Sequence, residues 1–239
     1  MNEPVQSLWI GPRLSAMERL SIRSFLANGH EFHLYLYDEL ADVPAGTVIH
    51  SANEILDRSR IFTYSGNGSV AGFANMFRYK LLLDRGGWWV DLDTVCLRPF
   101  DFSGEYVFAS EPGDRGGEVL TNAILKSEAG SPFLEYVWRV CSEKDPAKLV
   151  WGETGPRLVA AAVGRLGLER YSKPAKTFCP VSYREWRSLI TPDAALEFDA
   201  DTWAVHLWHE MWRRAGADKD QNYPPACQFE RLKSRYPES

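Results

Sequence analysis

Long apolar runs are missing from this sequence. Nowhere do about 20 consecutive apolar residues occur, which argues against a membrane-spanning helix, and the N-terminus lacks the basic segment and apolar stretch of a secretory signal. The four cysteines, Cys96, Cys141, Cys179 and Cys227, stand far apart without the paired spacing of a zinc site or redox motif, so they read as reduced thiols. An excess of positive charge is also absent. With a net charge of −5 there is no global electrostatic reason to bind nucleic acid. No repeat, low-complexity segment or long Pro, Gly or Ser tract marks a linker, so residues 1–239 are expected to form one domain. Together these absences suit a cytosolic protein.

What the chain does hold is enough apolar material for a core: 45% of residues are hydrophobic and 13% aromatic, far from the composition of disordered chains. Its C-terminal third gathers cations, Arg184, Arg187, Arg213, Arg214, Lys219, Arg231, Lys233 and Arg235. These would suit phosphates or peripheral contact with an anionic membrane surface, although a solvated face is the plainer reading for most of them.

The apolar pattern opens as strand, helix, strand. Ser7 to Ile10 is a short apolar run closed by Gly11-Pro12. Leu14, Met17, Ile22 and Phe25 then form one helical stripe stopped at Asn28-Gly29, and Phe32, Leu34 and Leu36 alternate as a second strand. Residues 41–68 read as irregular apart from a short helix at Ala52 to Asp57. From Ala71 a helix carries Phe73, Met76 and Phe77 on one side and Asn75 and Arg78 on the other. Gly86-Gly87 ends it, and Trp88 to Val90 leads as a strand into Asp91. Farther on come a strand at Tyr106 to Ala109, a glycine-rich candidate lid at 113–117, helices after Pro132 and from Leu158 to Leu166, and a strand from Trp203 to Trp208. After Trp212 an irregular tail with a final short helix is expected. Alternating strands and helices predict an α/β sandwich.

The chemistry centres on Asp91-Leu92-Asp93. Two carboxylates at i and i+2 on an extended segment face one side, where they can share a hard divalent cation and so offset charge on a pyrophosphate leaving group. Alone, the tripeptide is common as a solvated turn. Here it directly follows Gly-Gly-Trp-Trp-Val, a buried strand that delivers both acids to its C-terminal end, the ligand-binding end of open α/β sheets.

Residues 72–99, GFANMFRYKLLLDRGGWWVDLDTVCLRP, closely resemble the sugar-binding DXD-motif glycosyltransferases. That group takes in bacterial capsular and lipopolysaccharide sugar transferases, yeast initiating mannosyltransferases and α-1,4-galactosyltransferase relatives, and more remotely the glucosylating clostridial toxins. The likeness runs almost end to end. It implies a GT-A type fold with a mostly parallel central sheet flanked by helices, and a metal-dependent hexosyltransferase. The donor would be a nucleotide sugar, UDP-linked by the same resemblance, and the acceptor a glycan or glycolipid. Transfer would be retaining, in envelope polysaccharide synthesis at the cytoplasmic side of the membrane.

The same resemblance suggests roles for individual residues. Trp9, in Leu8-Trp9-Ile10-Gly11, matches a strand whose Trp stacks on uracil in the toxin branch; filling the core is the competing reading. Asn75 and Arg78 stand where the family often has an Asp and an Arg touching donor sugar and phosphate. Arg78 fits, with an ion pair to a nearby carboxylate as its alternative, whereas Asn75 departs from the pattern and carries no charge. His206, in Ala204-Val205-His206-Leu207-Trp208-His209, resembles the late histidine that completes a metal site with Asp91 and Asp93, with His209 as the rival ligand. Two carboxylates and an imidazole suit Mn²⁺ slightly better than Mg²⁺. Asn122, in Thr121-Asn122-Ala123, is a candidate to face the anomeric centre or an acceptor hydroxyl. Glu153, in Gly152-Glu153-Thr154-Gly155-Pro156, is a carboxylate to test as a catalytic group, and Lys219 a candidate diphosphate ligand. Two other classes remain: a two-metal phosphohydrolase, which would need more carboxylate and histidine ligands, and a non-catalytic carbohydrate-binding scaffold, which Asn75 keeps open.

Overall fold

The computed structural model describes residues 3–192, 194 and 196–238. In chain order the elements are β1 (Val5–Trp9), α1 (Ala16–Ala27), β2 (Phe32–Leu36), β3 (Val48–Ser51), α2 (Ala71–Arg85), β4 (Gly87–Val90), β5 (Thr94–Cys96), β6 (Tyr106–Pro112) and β7 (Glu118–Ser127). There follow α3 (Pro132–Ser142), α4 (Pro156–Leu166), β8 (Ser172–Lys173), α5 (Ala175–Phe178), β9 (Ala204–His206), α6 (His209–Ala215) and α7 (Gln228–Arg235). Seven strands form the main sheet in the order β3-β2-β1-β4-β7-β6-β8, and β5 pairs with β9 in a small second sheet. The pairings β3-β2, β2-β1, β1-β4 and β6-β8 are parallel; β7 alone runs against its neighbours. This is the mostly parallel α/β sheet expected from the sequence.

Local chemistry accounts for the elements that position the site. Helix α1 starts at a capping box, where the Glu18 carboxylate takes the Ser15 amide at 2.7 Å and Ser15 Oγ accepts from Met17 N. Helix α2 stops at Gly86, whose φ of 65° and ψ of −164° favour glycine; a Cβ there would lie 2.7 Å from the Ala129 amide nitrogen. The chain then enters β4 between β1 and β7. Trp88 faces a core layer with Phe100 and Phe178, while Trp89 faces the opposite layer with Phe77 and Phe133. A strand covered on both faces reads as a continuous apolar run, which is why Trp-Trp-Val carries no alternation.

Several expectations change. Residues 113–117, the glycine-rich candidate lid, close the β6–β7 hairpin, with Gly113 N donating to Gly117 O at 3.0 Å, and Asp114 among them lines the cleft described below. Residues 118–127, read in the sequence only as a site segment at Thr121 to Ala123, form the long strand β7 beside β4. The stretch 41–68 contributes the edge strand β3, and the expected helix at Ala52 to Asp57 is a single 3₁₀ turn at Ala52–Glu54. The late strand is shorter than Trp203 to Trp208, because the backbone turns after His206 into α6.

Candidate metal and donor cleft

Asp91 sits just past the C-terminal end of β4, its amide donating to Ala123 O of β7 at 2.8 Å. The segment after it is a turn rather than an extended strand, closed by Thr94 N donating to Asp91 O at 3.0 Å. The two carboxylates therefore converge because the chain bends between them, a correction to the i, i+2 argument made for an extended segment. The small sheet supplies the third member. Thr94 pairs with His206, and Leu207 N donates to Asp93 O at 2.7 Å, so His206 lies beside Asp93 despite 113 residues of separation. Potential ligand atoms of Asp91, Asp93 and His206 all lie within 4.8 Å of one another.

Each acid has a distinct setting. Asp93 is buried, and its Oδ1 lies 3.1 Å from His206 Nε2 while Oδ2 accepts from the His209 amide at 2.7 Å. Burial alone would raise this carboxyl, but the facing histidine and the amide outweigh it and hold it below the usual carboxylate range. Burial likewise opposes charge on His206, yet Asp93 prevails and raises the imidazole well above its ordinary value. Asp91 opens toward the cleft with 31% of its side chain exposed, and its Oδ1 accepts from Arg78 Nη2 at 2.6 Å and Trp89 Nε1 at 2.8 Å. Enclosure in the cleft raises this carboxyl despite Arg78.

The donor set fits a hard divalent cation: two carboxylates and an imidazole converge, and no described donor occupies Asp91 Oδ2. The rival ligand His209 is engaged elsewhere. Its amide holds Asp93, its ring stacks on Trp9 with centroids 6.3 Å apart, and its Nε2 lies 3.3 Å from Lys219 Nζ. Trp208 makes this turn possible with φ of 63°, the one positive value at a non-glycine among the described residues. Such a conformation is costly for a tryptophan, and here it points the next amide at a metal-site carboxylate.

The triad opens on a cleft of about 880 Å³, within the range of small-molecule sites. Trp9, at the end of β1, forms one wall, and its indole N–H is buried without a partner. Lys219 is outside that lining: its ammonium bonds the buried Glu18 carboxylate at 2.5 Å and lies 5.4 Å from the Trp9 ring centroid. Arg78 is in the ion pair with Asp91 that was its alternative reading, and its Nη1 also donates to Asn122 O at 2.6 Å. Asn122 Nδ2 donates to Asn75 Oδ1 at 2.7 Å, and Asn75 Nδ2 donates to Thr154 Oγ1 at 3.3 Å, so α2, β7 and the turn before α4 share one polar strip.

Glu153 is not brought to this strip. Its carboxylate binds Lys144 Nζ at 2.6 Å and the Val150 amide at 3.2 Å outside the cleft lining; the Lys144 bond lowers its pKa first, and Val150 adds to that. Besides Asp91 and Asp93, the carboxylates that line the cleft are Asp114, Glu210 and Glu111, and none of these three was picked out from the sequence; Glu111 lies on β6. Burial raises its carboxyl above the ordinary value, and His206 and Thr121 are its near neighbours. Trp151 and Arg157 also line the cleft and were missed, because no motif marks a loop residue whose role depends on what it meets in space.

No family model and no curated relative matches the chain. Among solved structures it is similar to PaToxG glycosyltransferase, with a TM-score of 0.50, 15% identity and 70% of each chain covered. It is also similar to WbbM bifunctional glycosyltransferase (TM-score 0.41, 12% identity, 68% of this chain and 37% of that one). A third is the catalytic domain of alpha-toxin from Clostridium novyi (0.37, 8%, 100% and 76%). At such identities the first likeness establishes the fold, and the chain has the GT-A type α/β architecture.

Proposed function

We propose that this chain is a metal-dependent glycosyltransferase that moves a hexose from a UDP-sugar to a glycan or lipid-linked glycan acceptor with retention, in envelope polysaccharide synthesis. The observation that carries the reading is the convergence of Asp91, Asp93 and His206 at the C-terminal end of the central sheet, on a cleft walled by an unsatisfied tryptophan N–H. Asp91, Asp93 and His206 would hold Mn²⁺ or Mg²⁺, which when bound supplies Lewis-acid neutralisation of a diphosphate.

The remaining roles belong to the chain itself. Trp9 stacks on the nucleobase, with His209 and Lys219 backing its ring. Arg78 orients Asp91 and opposes the rise that burial imposes on its carboxyl and, as a guanidinium, has donors to offer the donor phosphate. Asn75 and Asn122 present amides to sugar hydroxyls from the polar strip beside the metal site. Catalysis in this reading is positioning plus electrostatics, with no protein nucleophile required. With no described helix long and apolar enough to cross a membrane, a lipid-linked acceptor would be met at the cytoplasmic membrane surface by peripheral contact.

The test is release of UDP from a panel of UDP-sugars with and without Mn²⁺. Turnover of one sugar that needs the metal and falls by about a hundredfold or more in Asp93→Asn supports the reading. Turnover that ignores both metal and Asp93 sinks it.

A further inference from the structure

The end of the cleft away from Trp9 is built from parts that donor binding does not use. Trp151, in the loop between α3 and α4, is 41% exposed there although it is a large aromatic. Its ring lies 5.2 Å from Tyr64, on the loop before α2, and the Arg214 guanidinium of α6 sits 5.3 Å from its centroid. Three segments distant in sequence thus meet on one ring at the mouth of the cleft. Arg157, exposed in the first turn of α4, lines the same end and has no ion-pair partner among the described residues, the nearby Glu153 being taken by Lys144. Arg213 and Arg214 share the single carboxylate of Glu210, so this end keeps an excess of positive charge.

The order along the cleft follows from α6. His209, at its start, holds Asp93 and stacks on Trp9, while Arg214, five residues on and so about 7.5 Å farther along the helix, reaches Trp151. The metal triad and the Asn75–Asn122 strip line the same cleft, and Asn75 Nδ2 donates at 3.3 Å to Thr154 Oγ1, on the loop that carries Trp151. A partly exposed indole offers a face to the C–H side of a pyranose ring, and flanking guanidinia match carboxylate or phosphate oxygens rather than neutral hydroxyls.

We propose that Trp151, Arg157 and Arg214 form an acceptor subsite for an anionic sugar, one bearing a carboxylate or a phosphate. This deepens the glycosyltransferase reading by naming the acceptor class, and its test is a binding measurement that does not depend on turnover. Trigalacturonate, mannose 6-phosphate and neutral maltotriose are titrated into the full chain by calorimetry, alongside Trp151→Ala, Arg157→Ala and the distant surface variant Arg170→Ala. Trigalacturonate separates a uronate from the phosphate of mannose 6-phosphate.

At least one anionic probe is expected to bind about tenfold or more tightly than maltotriose. That preference is expected to vanish in both Trp151→Ala and Arg157→Ala, whose melting temperatures stay near wild type, and to persist in Arg170→Ala. Equal binding of acidic and neutral probes, no binding of either, or full retention in the two subsite variants overturns the proposal. If UDP-sugar turnover fails while anionic binding maps to Trp151 and Arg157, the donor reading falls and the subsite stands; the reverse pattern removes the subsite alone.

Discussion

His206 Nε2 and Asp93 Oδ1 lie 3.1 Å apart in a buried pocket, while His206 Nδ1 is buried without a hydrogen-bond partner. Because the imidazole is raised above its ordinary value by Asp93, it holds a proton near neutrality that a bound cation must displace. Mn²⁺ affinity is therefore expected to rise with pH until His206 loses that proton, then level off, with close to one proton released per ion on the acid side. Calorimetry in buffers of different ionisation enthalpy measures both. Affinity independent of pH between about 6 and about 9 would show that His206 is not a ligand. The sign for the metal-free protein is opposite: a raised histidine contributes stability below its unfolded pKa, and that contribution is lost as pH rises through the folded value.

Trp9→Ala should fold, since Trp9 lines the cleft and its N–H has no partner to lose. Stacking of a base on an aromatic side chain is worth about 1–3 kcal/mol, so UDP affinity is expected to fall by roughly tenfold to a hundredfold. Titration with UDP in Mn²⁺ checks it; unchanged affinity would return Trp9 to a purely structural role.

Removing Arg78, whose side chain is 4% exposed, takes from Asp91 its charged partner, leaving it the Trp89 Nε1 bond, and from Asn122 O its side-chain donor. Arg78→Ala is expected to destabilise the fold by about 3 kcal/mol, the low end for breaking a buried pair because Asp91 also faces the cleft. Denaturant unfolding would show this, and a loss under about 0.5 kcal/mol would mean that the pair is as weak as an exposed one.

Much of the frame was legible in the sequence because its signals are local. The β1-α1-β2 opening, helix α2 with its glycine stop and the buried strand β4 all follow from apolar spacing and turn residues. The resemblance also picked out Asp91, Asp93 and His206, which the structure brings together. What stayed hidden depends on pairing across space. Strand β7 is buried through most of its length, yet the Thr-Asn-Ala in its middle disguises it, and the convergence of Asp91 with Asp93 rests on a turn. Glu153 and Lys219 looked available as charges, but Lys144 and Glu18, which no spacing rule connects to them, hold each one outside the cleft lining.

Gly86 offers a test of how the site is delivered. Its φ is positive and a Cβ would press on the Ala129 backbone at 2.7 Å, a contact that no side-chain rotation can relieve. Gly86→Ala is expected to cost about 1–3 kcal/mol or more and to loosen the entry to β4, lowering metal affinity as well as melting temperature. A variant as stable as wild type would show that the backbone can shift there at little cost.

The most direct test of the central claim is a thermal shift of wild type and Asp93→Ala with UDP-sugars, each with and without Mn²⁺. The account predicts stabilisation by a UDP-sugar that requires Mn²⁺ and disappears in Asp93→Ala. No response to any nucleotide sugar, or a response that survives loss of both metal and Asp93, would contradict it.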